Sequence, residues 1–335
     1  MTGRGLITAG ASFKKTQVKE ALIWKNYLPD YLGPDNTAFL PDYATKDYDH
    51  SLSSAFVQYL HKTRSWDAMA GVRWDVHNEY EDSLNTSFGL VWHPTEIFTM
   101  KFLYGTSFRS PYARQYAESR LAKKLEKARN FSVQAVWRPN ARFSGEVTGF
   151  FTEISDHVME DPFAGVSLAN EQKFFGLEAS ARCHLTDSLS LHGNLTALTH
   201  SGPDEVYRYT EYGILGPGGD FEETIVNLTY PFDVGPKTFG NAAVLWTPTK
   251  HLSARLRLRA FSEMSLIYPR GATSDNAPDV WLLDLDAAYK DFLTPKLDLI
   301  AAVTNLADRD YEIPGTYSMI DGRPLTLHLH LRYRW

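Results

Sequence analysis

From Leu252 to Ala260 apolar and polar residues alternate without a break: Leu252, Ala254, Leu256, Leu258 and Ala260 interleave with Ser253, Arg255, Arg257 and Arg259. Successive side chains of an extended strand point to opposite faces, so the segment predicts a strand with one oily face and one cationic face. A helix would spread both kinds around its circumference. The dyad recurs in Phe143, Gly145, Val147, Gly149 and Phe151 against Arg142, Ser144, Glu146 and Thr148. It recurs in Phe175, Leu177, Ala179, Ala181 and Cys183 against Glu178, Ser180, Arg182 and His184. The final stretch sets Leu325, Leu327, Leu329, Leu331, Tyr333 and Trp335 against Thr326, His328, His330, Arg332 and Arg334.

Fourteen such segments begin near residues 4, 51, 66, 83, 97, 130, 142, 173, 188, 238, 251, 279, 296 and 324. Most run ten to thirteen residues. A tilted strand needs roughly 9–11 residues to cross a bilayer, whereas strands of globular proteins cluster at about 5–6. The expected fold is therefore all-β, an antiparallel transmembrane β-barrel wall. The connections alternate as well. Short turns at Thr63–Ser65, His93–Glu96, Arg138–Asn140, Thr186–Ser188, Thr247–Lys250 and Leu293–Pro295 are separated by long polar stretches at 16–50, 109–129, 155–172, 201–237, 262–278 and 306–322. Outer-membrane barrels have that asymmetry, with short periplasmic turns and longer extracellular loops. Trp92-His93-Pro94-Thr95, Trp137-Arg138-Pro139-Asn140 and Trp246-Thr247-Pro248-Thr249 each end a strand on the short-turn side. Proline there suits a turn, and an amphipathic indole suits the membrane–water interface.

Composition narrows the function classes. Among 335 residues there are 8 Trp, 18 Tyr and 19 Phe, a formal net charge of -6 and one cysteine. A net negative chain without clustered Lys and Arg is a poor partner for nucleic acid, and one cysteine excludes a disulfide scaffold or a Cys-based zinc site. No apolar run approaches the roughly 18 residues that a membrane helix requires. The sequence carries no GxSxG elbow, HExxH, P-loop or CxxC, so no enzyme activity and no cofactor are expected. Ser190 and His192 share a strand face, but it is the polar one. His328 and His330 share a face without an aligned third ligand, and no metal site is expected. Gly216-Pro217-Gly218-Gly219 reads as a loop tip. On the last four segments Arg255, Arg257 and Arg259 would lie beside Asp284 and Asp286, followed by Lys296 and Asp298 and then His328, His330, Arg332 and Arg334. That pattern fits a polar lumen wall with cross-strand ion pairs better than it fits direct ligand binding.

Several segments resemble the TonB-dependent outer-membrane receptors. Ser107-Phe108-Arg109-Ser110-Pro111 is similar to that family's FRAP-like motif, and Leu125-Glu126-Lys127-Ala128-Arg129-Asn130-Phe131 to the segment that follows it. Gly176-Leu177-Glu178, six residues after Asn170, resembles the N…G-x-E strand start. Asn305-Leu306-Ala307-Asp308-Arg309-Asp310-Tyr311 resembles N-L-x-D-x-x-Y, and Leu331-Arg332-Tyr333-Arg334-Trp335 resembles the terminal aromatic signal read by the barrel-assembly machinery.

The resemblance implies a bacterial outer-membrane, multi-pass barrel forming part of a 22-stranded fold, with residues 1–335 as its C-terminal barrel portion. Nothing in the sequence resembles a plug domain, a TonB box or a signal peptide, so a fragment or truncated gene product is expected, reaching the TonB complex only through a plug it lacks. The implied function is uptake of a metal chelate, a ferric siderophore foremost. The alternatives are an independent 14-stranded diffusion channel and, last, a soluble all-β binding module. Implied partners are outer-membrane lipids, the assembly machinery and the chelate. Tyr27, Tyr31, Tyr207, Tyr209 and Tyr212 in the loops and Arg255, Arg257 and Arg259 in the lumen are the implied substrate contacts; Leu329, Leu331, Tyr333 and Trp335 form the implied assembly signal.

Overall fold

In the computed structural model, which describes residues 4–19, 22–23, 42–43, 48–110, 124–161, 165–215, 220–232, 235–265, 276–315 and 318–334, fourteen strands pair side by side in one antiparallel sheet. They are β1 (Arg4–Val18), β2 (Tyr48–Lys62), β3 (Trp66–His77), β4 (Ser83–Thr95), β5 (Phe98–Arg109), β6 (Glu126–Asn140) and β7 (Phe143–His157). The second half is β8 (Asn170–His184), β9 (Leu189–Ser201), β10 (Thr238–Trp246), β11 (Leu252–Phe261), β12 (Val280–Tyr289), β13 (Leu297–Thr304) and β14 (Thr326–Tyr333). Each strand pairs with its predecessor, so the sheet is an uninterrupted up-and-down meander. Among the described residues there is no helix.

Side-chain exposure is inverted relative to a protein built around an apolar core. Leu327, Leu329 and Leu331 are 57, 64 and 68% exposed, whereas Asp75, Asp284 and Asp298 are buried. Contiguous exposed apolar surface of this extent marks an interface with something apolar, which counts against the soluble-module alternative. Aromatic belts bound the oily band. At the short-turn end Trp92, Trp137 and Trp246 are each nearly half exposed. At the other end Tyr104, Phe131, Phe151 and Phe175 stand side by side in register, with the Phe151 and Phe175 rings 4.8 Å apart. Above that row the outward face turns ionic, with Arg129–Glu153 at 2.7 Å and Lys173–Glu171 at 2.6 Å.

The Trp-x-Pro repeats are more regular than turn chemistry alone predicts. Three residues of β4 span two of β5 between Trp92 and Thr95, and β6 does the same against β7 between Trp137 and Asn140. Pro94 and Pro139 therefore sit in β-bulges at the strand ends rather than in the turns, where a missing N–H leaves no rung of the ladder unmade. In all three repeats the residue after Trp donates its backbone N–H to the carbonyl of a turn residue: His93 to Ser65, Arg138 to Ile97 and Thr247 to Ser188, at 2.7–2.8 Å.

Two further differences from the sequence expectation concern the long-loop end. β2, β6 and β8 begin three or four residues earlier than the hydrophobic alternation does, because the backbone ladder continues above the oily band, where polar residues face both ways. The long polar stretches also contain hairpins, the largest among the described residues pairing Glu205–Leu215 with Asp220–Tyr230.

The outward face sets a measurable asymmetry. Leu195→Arg, mid-strand on the oily face of β9, is expected to destabilise the fold by about 2–4 kcal/mol, as charge at the bilayer midplane does. Thr196→Arg on the opposite face should cost under about 1 kcal/mol, because lumen positions tolerate charge. Denaturant unfolding in lipid vesicles, with the heat-dependent gel shift of folded barrels, measures both.

Candidate functional site

The inward face of β11 to β14 is an ion-pair ladder built by alternation and register together. Arg255 stands opposite Asp286 and Arg257 opposite Asp284. Arg255 donates to Asp286 Oδ2 from Nε at 2.9 Å and from Nη2 at 2.5 Å. Asp284 gathers more: Arg257 Nη2 at 3.1 Å, Arg259 Nε at 2.7 Å and Nη2 at 3.0 Å, and the backbone N–H of Asn305 at 3.2 Å. Further along, Asp298 stands opposite Arg332, which donates to it at 2.8 Å, and Arg334 lies 3.1 Å from its other oxygen.

Asp284 and Asp298 are each 1% exposed, and that decides how their pairs behave. Exposed ion pairs contribute little, but a buried carboxylate that accepts several charge-assisted bonds is a node whose loss strands its partners. The ladder thus has weak rungs, such as Arg255–Asp286, and strong ones. A comparable node at the other side of the sheet went unnoticed in the sequence. Asp75, fully buried, accepts from Ser54 Oγ at 2.6 Å, Arg73 Nε at 2.9 Å and Asn85 Nδ2 at 3.2 Å. The spacing Arg73-x-Asp75 on one strand face was the available signal.

Between the two nodes lies an open lumenal recess of about 510 Å³. Register places Gln134, Thr148, Glu178, Thr196, Phe239 and Phe261 in one row across β6 to β11. The adjacent row carries Glu146, Ser180, Asn194, Asn241 and Arg259. Glu146 accepts from Ser180 at 3.0 Å, and Asn241 donates to Asn194 at 2.8 Å. Glu178 has no partner among the described residues. The recess therefore offers amides, hydroxyls, carboxylates and an aromatic pair to whatever fills the lumen.

The implied contact residues fall in different places. Arg255, Arg257 and Arg259 face the lumen but are committed to Asp286 and Asp284. Tyr207 is fully buried at the base of the 205–230 hairpin against Tyr230, Met159 and Leu228. Tyr209 and Tyr212 lie on the first strand of that hairpin; their side chains, together with Tyr27, Tyr31 and Trp335, are outside the described residues. Leu329, Leu331 and Tyr333 project outward from β14. His328 and His330 stack with ring centroids 6.3 Å apart, and among the described residues no group of three metal-ligating side chains forms. Ser190 Oγ lies 2.8 Å from His184 Nδ1, so His184 rather than His192 is its partner.

Two resembling motifs have local roles. Gly176 stands opposite Phe150, whose ring lies where a Cβ would be, so a side chain there would displace the ring. Arg109 of the FRAP-like segment donates to Glu126 Oε2 at 2.8 Å, joining β5 to β6 at the start of the next motif. On the short-turn side the backbone N–H of Lys296 holds the Asp291 carboxyl below its ordinary range, aided by Arg334 and His251. A depressed carboxyl stabilises the fold above its unfolded pKa and loses that contribution as pH falls through the folded one. The Asp291 clamp on this turn is therefore complete at neutral pH and is lost only in strong acid.

A family profile described as "TonB dependent receptor-like, beta-barrel" matches residues 5–306. The FrpB iron transporter from Neisseria meningitidis (F3-3 variant) shares the fold at 16% identity and a TM-score of 0.70, over 98% of this chain and 52% of that one. The ferric-catecholate import receptor Fiu from K12 E. coli does so at 16% identity and 0.67, over 99% and 52%. A mutant ferric enterobactin receptor PfeA from Pseudomonas aeruginosa, in complex with enterobactin, gives 16% and 0.71, over 99% and 52%. The chain thus spans about half the length of these structures. No curated protein matches the sequence.

The nodes give a second prediction. Asp284→Asn should lower stability toward the lower end of the roughly 3–5 kcal/mol typical of a broken buried pair, because both guanidiniums remain about a third exposed. Asp286→Asn should cost less than about 1 kcal/mol. Equal effects in denaturant titrations would contradict the distinction between strong and weak rungs.

Proposed function

The chain belongs to the TonB dependent receptor-like β-barrel family of the bacterial outer membrane, and from that premise we propose that it is the wall of a receptor that imports a metal chelate, a ferric siderophore foremost. The observation that carries this reading is the inward face: a recess of about 510 Å³ flanked by ion-paired nodes, on a sheet whose other face is apolar. A lumen lined this way offers hydrogen bonds to a filling domain or a passing polar chelate, while the lipid face keeps the wall in place. The long-loop end, with Tyr27, Tyr31, Tyr209 and Tyr212, supplies the capture surface, and energy reaches the site through TonB. The role is binding and transport rather than catalysis.

The fold neighbours support iron chelates as the substrate class: an iron transporter, a ferric-catecholate import receptor and a receptor holding enterobactin. Deleting the gene in its host, under iron limitation, should reduce uptake of radiolabelled ferric catecholate or hydroxamate siderophores to background. A plasmid copy of the whole receptor should restore uptake only when TonB is present. Undiminished uptake across the siderophore panel would overturn the reading. Steady ohmic conductance of the purified chain in planar bilayers would instead favour a diffusion channel.

A further inference from the structure

The 205–230 hairpin stands on two feet, and both meet one side chain of the wall. The first foot is Glu205, 1% exposed. Its Oε1 lies 3.4 Å from Gln172 Nε2 and 3.6 Å from His157 Nε2, while Gln172 also donates to the carbonyl of Pro203 at 2.8 Å. The second foot is Phe232, whose ring meets those of His157, His200 and Phe174 edge-on at 5.5, 5.5 and 5.9 Å. His157 is thus shared by the entry and the exit of the hairpin. Its other nitrogen, Nδ1, lies 3.1 Å from Glu126 Oε2.

The two nitrogens of His157 therefore face two carboxylates. An ionised carboxylate only accepts, and a neutral imidazole has one N–H and one lone pair. With His157 neutral, one of the two contacts sets lone pair against lone pair, and Glu205 is left buried without a cation. With His157 protonated, the Glu126 contact becomes a charge-assisted hydrogen bond, the 3.6 Å approach to Glu205 becomes an ion pair, and the cluster balances: Glu126 and Glu205 against Arg109 and the imidazolium. Asp204, next to Glu205, is exposed, and other charged groups on the neighbouring strands are paired. On β6 and β7, Arg129 pairs Glu153 and Lys124 pairs Asp156 at 3.0 Å, and on β8 Lys173 pairs Glu171. His200 of β9 approaches only across the Phe232 ring.

We propose that His157 is a proton-operated clasp for the long hairpin: protonated, it locks Glu205 to the wall, and on losing the proton it frees that foot so that the hairpin pivots about Phe232. A neutral imidazole cannot donate to both carboxylates, so the hairpin is fixed while the proton is held and loosened once it is lost. Tyr207 and Tyr230, packed on each other at 5.7 Å just above the feet, keep the hairpin itself intact and make it move as one body.

A nitroxide on Ile225→Cys, an exposed outward position of the hairpin, in a Cys183→Ser background reports the motion in the full chain within outer-membrane vesicles. Its spectrum should be immobilised at about pH 5.5, and the mobile fraction should rise at least about threefold by about pH 8.5. Glu205→Gln, which keeps the amide-like contact to Gln172 but needs no cation, should abolish the pH response. His157→Gln should be mobile at both values, and His200→Gln should respond like the parent. A parent spectrum indifferent to pH, or a response that survives in Glu205→Gln, would overturn the proposal. So would a response lost in His200→Gln.

Discussion

Hydrocarbon offers no partner to a backbone N–H or C=O, so every peptide group at bilayer depth must be satisfied within the protein itself. The rest of this architecture follows from that constraint. A meander in which each strand pairs with its predecessor satisfies the groups of one strand with those of the next, and it needs only short connections on one side. Once the backbone is committed to a ladder, the pleat leaves a single variable, namely which residue points out and which points in. Leucines and aromatics outward, and Arg, Asp, Asn and Glu inward, follow from solvation on the two sides. Within the fourteen strands of the wall proline sits where a bulge removes the need for its N–H, at Pro94 and Pro139.

The inward face meets a second constraint, because charges gathered on a half-enclosed wall must be balanced locally. Asp284 binds Arg257, Arg259 and a loop backbone, Asp298 binds Arg332 and Arg334, and Asp75 binds Arg73. Between these nodes the wall is less committed. Glu178 in the recess has no partner among the described residues, and the amides of Asn194 and Asn241 bond mainly to each other. Polar groups already matched serve stability, whereas unmatched ones are open to a ligand or a second protein surface. The recess, rather than the arginine ladder, is accordingly the more receptive part of the lumen.

Much of this was legible in the sequence, for a physical reason. A lipid-facing strand carries its burial pattern in period two, so Leu252–Ala260 or Leu325–Trp335 announces both strand and face. That Arg255, Arg257 and Arg259 face Asp284 and Asp286 was legible because consecutive strands of a meander pair and the alternation fixes which residues point inward. The exact pairs were not, since the long 262–278 connection leaves the register open. Where the bilayer ends, the signal ends with it. The early starts of β2, β6 and β8 and the 205–230 hairpin are held by backbone pairing among residues that are polar on both faces, so no hydrophobic period marks them. The clustering of His157, Glu205 and Gln172 was hidden for a different reason. These residues come from three strands whose approach is set by how a hairpin folds back onto the wall, and nothing along the chain records that distance. Tyr207 reads as a loop aromatic in sequence, yet its burial against Tyr230 depends on the same fold-back.

The Asn305 segment shows how a loop can be tied to such a wall without hydrophobic packing. Asn305 and Asp308 both adopt positive φ, which their short polar side chains tolerate better than most residues do. The chain thereby reverses just beyond β13, and the buried Asn305 amide closes the turn: Nδ2 donates to the carbonyls of Arg309 and Arg323, while Oδ1 accepts from Arg309 N. Asp308 then accepts from Leu325 N at the start of the final strand, and Arg309 lies 4.9 Å over the Trp281 ring. The backbone N–H of the same Asn305 completes the Asp284 node. One residue therefore sets the entry and exit of the 306–325 connection and supplies a bond to the carboxylate that holds Arg257 and Arg259. A side chain of another shape could keep the turn only by leaving buried carbonyls unpaired, and it would shift the N–H on which Asp284 relies. The outer loop and the lumen wall are thus one hydrogen-bonded unit at this point, and a displacement of the loop base must be felt by the arginines below it.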